Sequence, residues 1–227
     1  TSISQTMRLT FVSIVLELIL GYMLAKFFIN AKGIPGINVV RTIFILPMMI
    51  APLVIGLMYM YVLNTNLGIV NYVLEQMGIG QISWFGNPDL ALYTVIFINV
   101  WQWTPFMMIL IIAGLNSIPE SLVEVAKLEG ATWWQKFINL EIPFISHVVA
   151  IGIFMRVMEN LKMFDVVYAT TNGGPGNATE VLSLLAYRQS FLYYQTGYGA
   201  AVGILILIMS TILVNVLFKI IWKKETV

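Results

Sequence analysis

The chain has 227 residues, 59% of them hydrophobic and 10% charged, with a formal net charge of +1. One soluble core of this length cannot enclose so much apolar surface, so the bilayer is the solvent, and the near-zero charge argues against nucleic acid or an acidic macromolecule as partner. With no Cys and a single His, disulfides and cysteine metal sites are excluded.

A spanning helix takes roughly 20 predominantly apolar residues, and five segments qualify: 9–29, 43–63, 90–114, 144–163 and 199–221. The expected fold class is all-α, a polytopic helical membrane protein forming one domain over residues 1–227, without internal repeats. Basic residues set its orientation. Lys26, Lys32 and Arg41 lie between the first two spans, Lys127 and Lys136 precede the fourth, and Lys219, Lys223 and Lys224 end the chain. The positive-inside rule puts all three clusters in the cytoplasm. The outward connections, 64–89 and 165–198, hold one basic residue between them, Arg188. Thr1 then lies outside, with no signal-peptide pattern before the first span, which implies at least one further span upstream; a native amino terminus mapped to Thr1 by mass spectrometry would contradict this.

The outer connection 64–89 carries LGIVNYVLEQMG, long enough for a short helix between Gly68 and Gly78, and 165–198 carries the turn signal Gly173-Gly174-Pro175. Inside, the polar segment 119–143 reads PESLVEVAKLEGATWWQKFINLEIP. Ser117 as N-cap, Pro119 in the first turn and Glu120 three residues after Ser117 predict a helix start with a capping box. Gly130 suits the helix end, and a second helix is expected from Thr132 to about Leu140 before Pro143 enters the next span. The result is a bent two-helix knob at the membrane face.

Within this knob Glu124, Ala126, Gly130, Ala131, Phe137 and Pro143 stand at the spacing EAA-x-x-x-G-A-x(5)-F-x(5)-P. The segment resembles the EAA loop of binding-protein-dependent ABC importer permeases, with Val125 in place of the second Ala and Glu129 where sugar-type members carry Asp. The flanks extend the likeness over nearly the whole chain. FDVVYATTNGGPGNATEVLSLLAYRQSFLYYQTGYG from Phe164, RTIFILPMMIAPLVIGLMYMYVLN from Arg41 and NVWQWTPF from Asn99 are similar to segments of maltose-type carbohydrate permeases. The resemblance implies a type I permease core in a bacterial or archaeal cell (inner) membrane. It implies as partners a second homologous permease subunit, two ATP-binding subunits and an external solute-binding protein. No P-loop is present, so ATP and Mg would be bound by the partner subunits, and this chain would be no enzyme by itself. The coupling loop, about 115–143, would seat on the ATPase through Glu124, Ala126, Glu129, Gly130, Ala131 and Phe137, and the Gly173-Gly174-Pro175 loop either ends a helix or shapes the mouth where the binding protein delivers cargo.

Polar side chains within spans are costly in lipid and normally face a bundle interior or a water-filled path. Asn99 and Gln102 on the third span and Arg156, Asn160 and Met163 around the fourth are the candidate substrate pathway; Arg156 and Asn160 share a face with Gly152, and Pro105 is expected to loosen the third span. The resemblance assigns sugar contact to Asn99 and Asn160 and a small polar residue where Arg156 stands. Arg156 either meets an acidic cargo or is neutralised by Glu159 or a partner subunit, with Glu17 a possible interface partner. Tyr59, Trp101, Trp103 and Phe106 are candidates to stack on sugar rings or to sit in interfacial belts. His147 lacks companion ligands, so no metal site is expected. The cargo class is a sugar: an oligosaccharide, acidic or neutral, or a polyol or sugar phosphate. A stand-alone gradient-driven transporter or channel is the alternative, resting on Glu17 and Glu159 as ion-coupling acids.

Overall fold

The computed structural model describes residues 1–222, with side chains through residue 216 and at Lys219. Lys223 and Lys224 lie outside the described residues. The helices α1 (Ser2–Asn30) and α5 (Pro88–Asn116) have 29 residues each, about 44 Å at the α-helical rise and longer than the roughly 30 Å hydrocarbon core. They form the most extensive helix pair in the protein. A helix that is apolar all round belongs inside a bundle, and α5 is that helix: Val95, Ile98, Met107, Met108 and Ile111 are all buried. Pro105 sits buried within it, and α5 continues through this proline without a break.

The chain loops back onto α5 through α6 (Glu120–Leu128), α7 (Trp133–Lys136), a π-helical segment (Phe137–Glu141) and α8 (Ile142–Leu161). From Trp133 to Leu161 this is one continuous 29-residue helix. Small residues let the neighbours of α5 approach closely. A Cβ at Gly21 of α1 would lie 2.9 Å from Met107 Cβ, and one at Gly152 of α8 would lie 2.7 Å from Leu110 Cδ1.

Residues 43–63, expected as one span, are not one helix. The chain runs through α2 (Ile37–Ile45), a 3-10 turn (Leu46–Met49) and α3 (Pro52–Val62), and the axis bends by 100° at the break. The cause is local. Pro52 opens α3, and Ala51 before it is extended at φ −59°, ψ 134°, as the residue preceding a proline prefers. Four helices among the described residues are long and apolar enough to cross a membrane, five if this bent pair counts as one.

The expected short outer helix is α4 (Ile69–Gln76). Its buried Asn71 holds the surrounding loop: Nδ2 donates to the carbonyls of Thr65 (2.9 Å) and Ile82 (2.8 Å), and Oδ1 accepts from Trp84 Nε1 (2.9 Å). Removing such a hub leaves several buried groups unpaired at about 1–3 kcal/mol each. Asn71→Ala is therefore expected to speed protease nicking within residues 64–87 by about tenfold or more; nicking at the wild-type rate would show that the hub is dispensable.

The other outer connection holds α9 (Asp165–Thr170) and α10 (Leu182–Tyr187) before the last helix, α11 (Thr196–Trp222). It is tied to the start of α1. Glu180 pairs with Arg188 at 2.9 Å and accepts from Ser2 Oγ, while Leu182 N donates to Thr6 Oγ1.

Candidate functional site

Two groups of residues stand out, at opposite ends of the continuous 133–161 helix. The knob end is close to its sequence expectation, with two corrections. Ser117 is not the N-cap of α6: its Oγ donates back to Gly114 O at 2.7 Å as α5 ends, and Pro119 occupies the N-cap position without a side-chain bond. The second helix does not stop near Leu140 either, because the π segment carries it into α8 and Pro143 falls in the first turn of α8, where its missing N–H costs little.

Gly130 does end the first helix, at φ +67°, in open surroundings, a conformation that glycine adopts without strain. Thr132 starts the second with a full capping box, its Oγ1 accepting from Gln135 N while Gln135 Oε1 accepts from Thr132 N. Glu124 and Glu129 are exposed, Ala126 and Ala131 half-buried. Beside them the knob exposes Leu122, Val125, Leu128, Trp133 and Trp134. Phe137 turns inward, stacking on Trp133 at 5.6 Å and meeting Tyr22 of α1 edge-on at 5.1 Å.

The other end is a polar pocket of about 80 Å³ lined by Asn99, Gln102, Trp103, Arg156, Asn160 and Met163, with Pro52 and Phe164. The five pathway residues named from the sequence thus come together here. At its floor Arg156, 1% exposed, makes a two-pronged pair with Glu17, 0% exposed: Nε to Oε2 at 2.7 Å and Nη2 to Oε1 at 2.8 Å. Nη2 also donates to Asn99 Oδ1 (3.1 Å) and Asn160 Oδ1 (3.0 Å), and Asn99 Nδ2 donates to Asn160 Oδ1 (2.9 Å). The guanidinium lies 4.6 Å from the centroid of the Trp103 ring, a cation–π distance. Two charges so deeply buried are tolerable only when paired and hydrogen-bonded to one another in this way.

Glu17 is therefore the counter-charge of Arg156 within the same subunit. Glu159 is not; it pairs with Lys162 at 3.0 Å on the rim. Of the four aromatic candidates, Trp103 lines the polar pocket, whereas Trp101 lines a separate apolar groove with Phe97 and Pro105 and meets Tyr59 edge-on at 5.4 Å. His147 is exposed on α8, and among the described residues no three acids or histidines group as metal ligands.

Two buried atoms of the pocket residues have no hydrogen-bond partner: Gln102 Oε1, an acceptor, and Asn160 Nδ2, a donor. A hydroxyl group both donates and accepts, and so offers the kind of partner that each of these atoms lacks. Gln102 Nε2 is already engaged with Ile50 O at 3.0 Å, tying α5 to the elbow of the broken span.

Residues 17–226 match the family described as binding-protein-dependent transport system inner membrane component. The chain belongs to this family. As a permease of this kind it is a multi-pass membrane protein, as the apolar helices require. It is 34% identical over 90% of its length to the trehalose/maltose transport system permease protein MalF of Thermococcus litoralis, spanning 68% of that protein. It is 30% identical over 75% of its length to the sulfoquinovosyl glycerol transport system permease protein SmoG of Agrobacterium fabrum, spanning 55% of it. The permease fold is also that of a chain in the crystal structure of a bacterial ABC transporter involved in import of the acidic polysaccharide alginate, with a TM-score of 0.87 at 22% identity, covering 98% of this chain and 78% of that one.

Proposed function

We propose that this chain is a membrane-spanning subunit of an ATP-driven, binding-protein-dependent sugar importer, coupled to its ATPases through the 115–143 loop. The observation that carries this reading is the continuous helix from Trp133 to Leu161, which bears the knob at one end and Arg156 and Asn160 of the pocket at the other. A stiff helix turned at the knob turns the pocket wall with it. Glu124, Glu129 and Gly130, with the half-buried Ala126 and Ala131, form the surface that seats in an ATP-binding partner, Phe137 holds that surface to α1 from beneath, and ATP and Mg belong to that partner. A second permease subunit completes the pathway, and a solute-binding protein delivers cargo on the outer side.

A sugar cargo is supported by the names of the relatives and by the unpaired donor and acceptor of the pocket. At about 80 Å³ the pocket is far below the roughly 300–1,000 Å³ of a site that encloses a small molecule, so it meets one or two hydroxyls of a sugar rather than a whole ring until the spans part. Because Glu17 balances Arg156 and Lys162 balances Glu159, the remaining charged group of the lining is the carboxylate of Asp165, and the pocket favours a neutral, hydroxyl-bearing stretch of cargo over an acidic one. The same pairings disfavour the gradient-driven alternative, since Glu17 and Glu159 are both engaged with cations.

Two measurements check this. A tagged copy of the chain is expected to retain an ATP-binding protein through detergent purification, and a chain that retains none contradicts the importer. Gln102→Leu, which removes the unpaired acceptor together with the Nε2 bond to Ile50 O, is expected to lower sugar uptake about tenfold or more per complex; full uptake would remove Gln102 from the pathway.

A further inference from the structure

We propose that Glu141 is a positioning residue that clamps the knob to α1, so that α1 and the 133–161 helix move as one body. This rests on the reading of the knob as the ATPase contact. Glu141 closes the π segment and is 8% exposed. One of its oxygens accepts from Tyr22 OH at 2.5 Å and the other pairs with Lys26 Nζ at 2.5 Å. Phe137, four residues earlier, packs its ring on the same Tyr22. The wider turn of a π-helix, a feature common at functional sites, thus sets two side chains of the knob base on one tyrosine of α1.

The second tie between these two helices is the Arg156–Glu17 pair, further along both. That pair explains why a clamp is needed. Buried in a low-dielectric interior, Arg156 and Glu17 cannot be drawn apart without leaving each charge uncompensated, so any movement of α8 must take α1 with it. A knob attached only through its own helix would bend at the π segment and load the ion pair. Phe137 at the knob end of that segment and Glu141 at its α8 end both hold Tyr22 of α1, so the segment is braced across its length and the displacement reaches both walls of the pocket together.

The test uses spin labels, for which a chain without native cysteine is well suited. Labels go on the exposed positions Asn30 of α1 and Asn139 of the knob base, in the complex with its ATP-binding partner, measured with and without ATP. With Glu141 intact the distance stays the same in both states. With Glu141→Ala, ATP shifts or broadens it by about 2 Å or more, the scale of helix shifts in switching proteins, and the pairwise swap of Lys26→Glu with Glu141→Lys narrows it again. Tyr22→Phe, which removes only the hydroxyl, gives a smaller shift in the same direction and carries the test if Glu141→Ala does not assemble. An ATP-dependent distance in the chain with Glu141 intact, or variants that behave identically to it, overturns the clamp. A chain that binds no ATPase overturns the importer reading itself, and the clamp with it.

Discussion

Replacing Glu17 with alanine is expected to remove most of the folded permease from the membrane. The change leaves the Arg156 guanidinium, 1% exposed, with two asparagine oxygens and a tryptophan face but no counter-charge, and breaking a buried pair from one side costs about 3–5 kcal/mol. That approaches the whole stability of many domains. Arg156→Ala is the mirror case and strands the carboxylate. The double substitution Glu17→Gln with Arg156→Gln removes both charges and should restore much of the protein, because a buried pair replaced as a unit is often neutral. The measurement is the amount of full-length, monodisperse protein extracted from membranes. Single variants that accumulate as well as wild type would mean that the charges reach water in the working protein. The same pairing carries an expectation for cargo charge: whatever uptake survives Arg156→Ala should fall equally for charged and neutral sugars, and a selective loss of charged sugars would place Arg156 in contact with cargo.

Gly130→Asp should act on transport and leave folding alone. Gly130 is exposed at φ +67° with no atom near the site of a new Cβ, so a side chain there meets only backbone strain, about 1–2 kcal/mol, and the knob has no buried contact at that point to lose. By the proposed coupling the damage falls on the ATPase contact, because a charged side chain is placed at the turn between α6 and α7, on the face that would seat in the partner. Interface residues of this kind are worth about 2 kcal/mol or more, so uptake should drop by roughly thirtyfold with membrane insertion at the wild-type level. Uptake unchanged by Gly130→Asp would remove the knob from the transport mechanism.

Local features were readable in the sequence and long-range ones were not. Gly130 and Thr132 announce a helix end and a helix start by their own backbone and capping chemistry, and the structure has both. The apolar runs of α1, α5, α8 and α11 are long enough to reveal themselves. Hydropathy is blind to direction, however, so 43–63 read as one span although Pro47 and Pro52 sit five residues apart around a 100° bend. Ser117 mimicked a capping box because the sequence does not say that α5 ends on it. The partner of Arg156 was the largest omission. Glu159 stood three residues away on the same helix, whereas Glu17 is 139 residues distant and no periodicity joins them. Asn99, Gln102, Arg156 and Asn160 were legible as candidates from their polarity within spans and Met163 from the face it shares with Arg156, and all five line one pocket; the Tyr22–Lys26–Glu141 network was not legible, although an acid two residues before Pro143 at the mouth of a span was its visible signal.

The central claim, that the chain passes sugar through the membrane at the expense of ATP hydrolysed by partners, is tested most directly in liposomes holding the complex assembled from this chain and its genomic neighbours. ATP hydrolysis is measured with and without the cognate solute-binding protein loaded with neutral or acidic oligosaccharides. The account predicts that one loaded binding protein stimulates hydrolysis and drives sugar uptake, and that a neutral sugar does so best. Uptake that follows an ion gradient, with no ATPase bound to the chain, would contradict it.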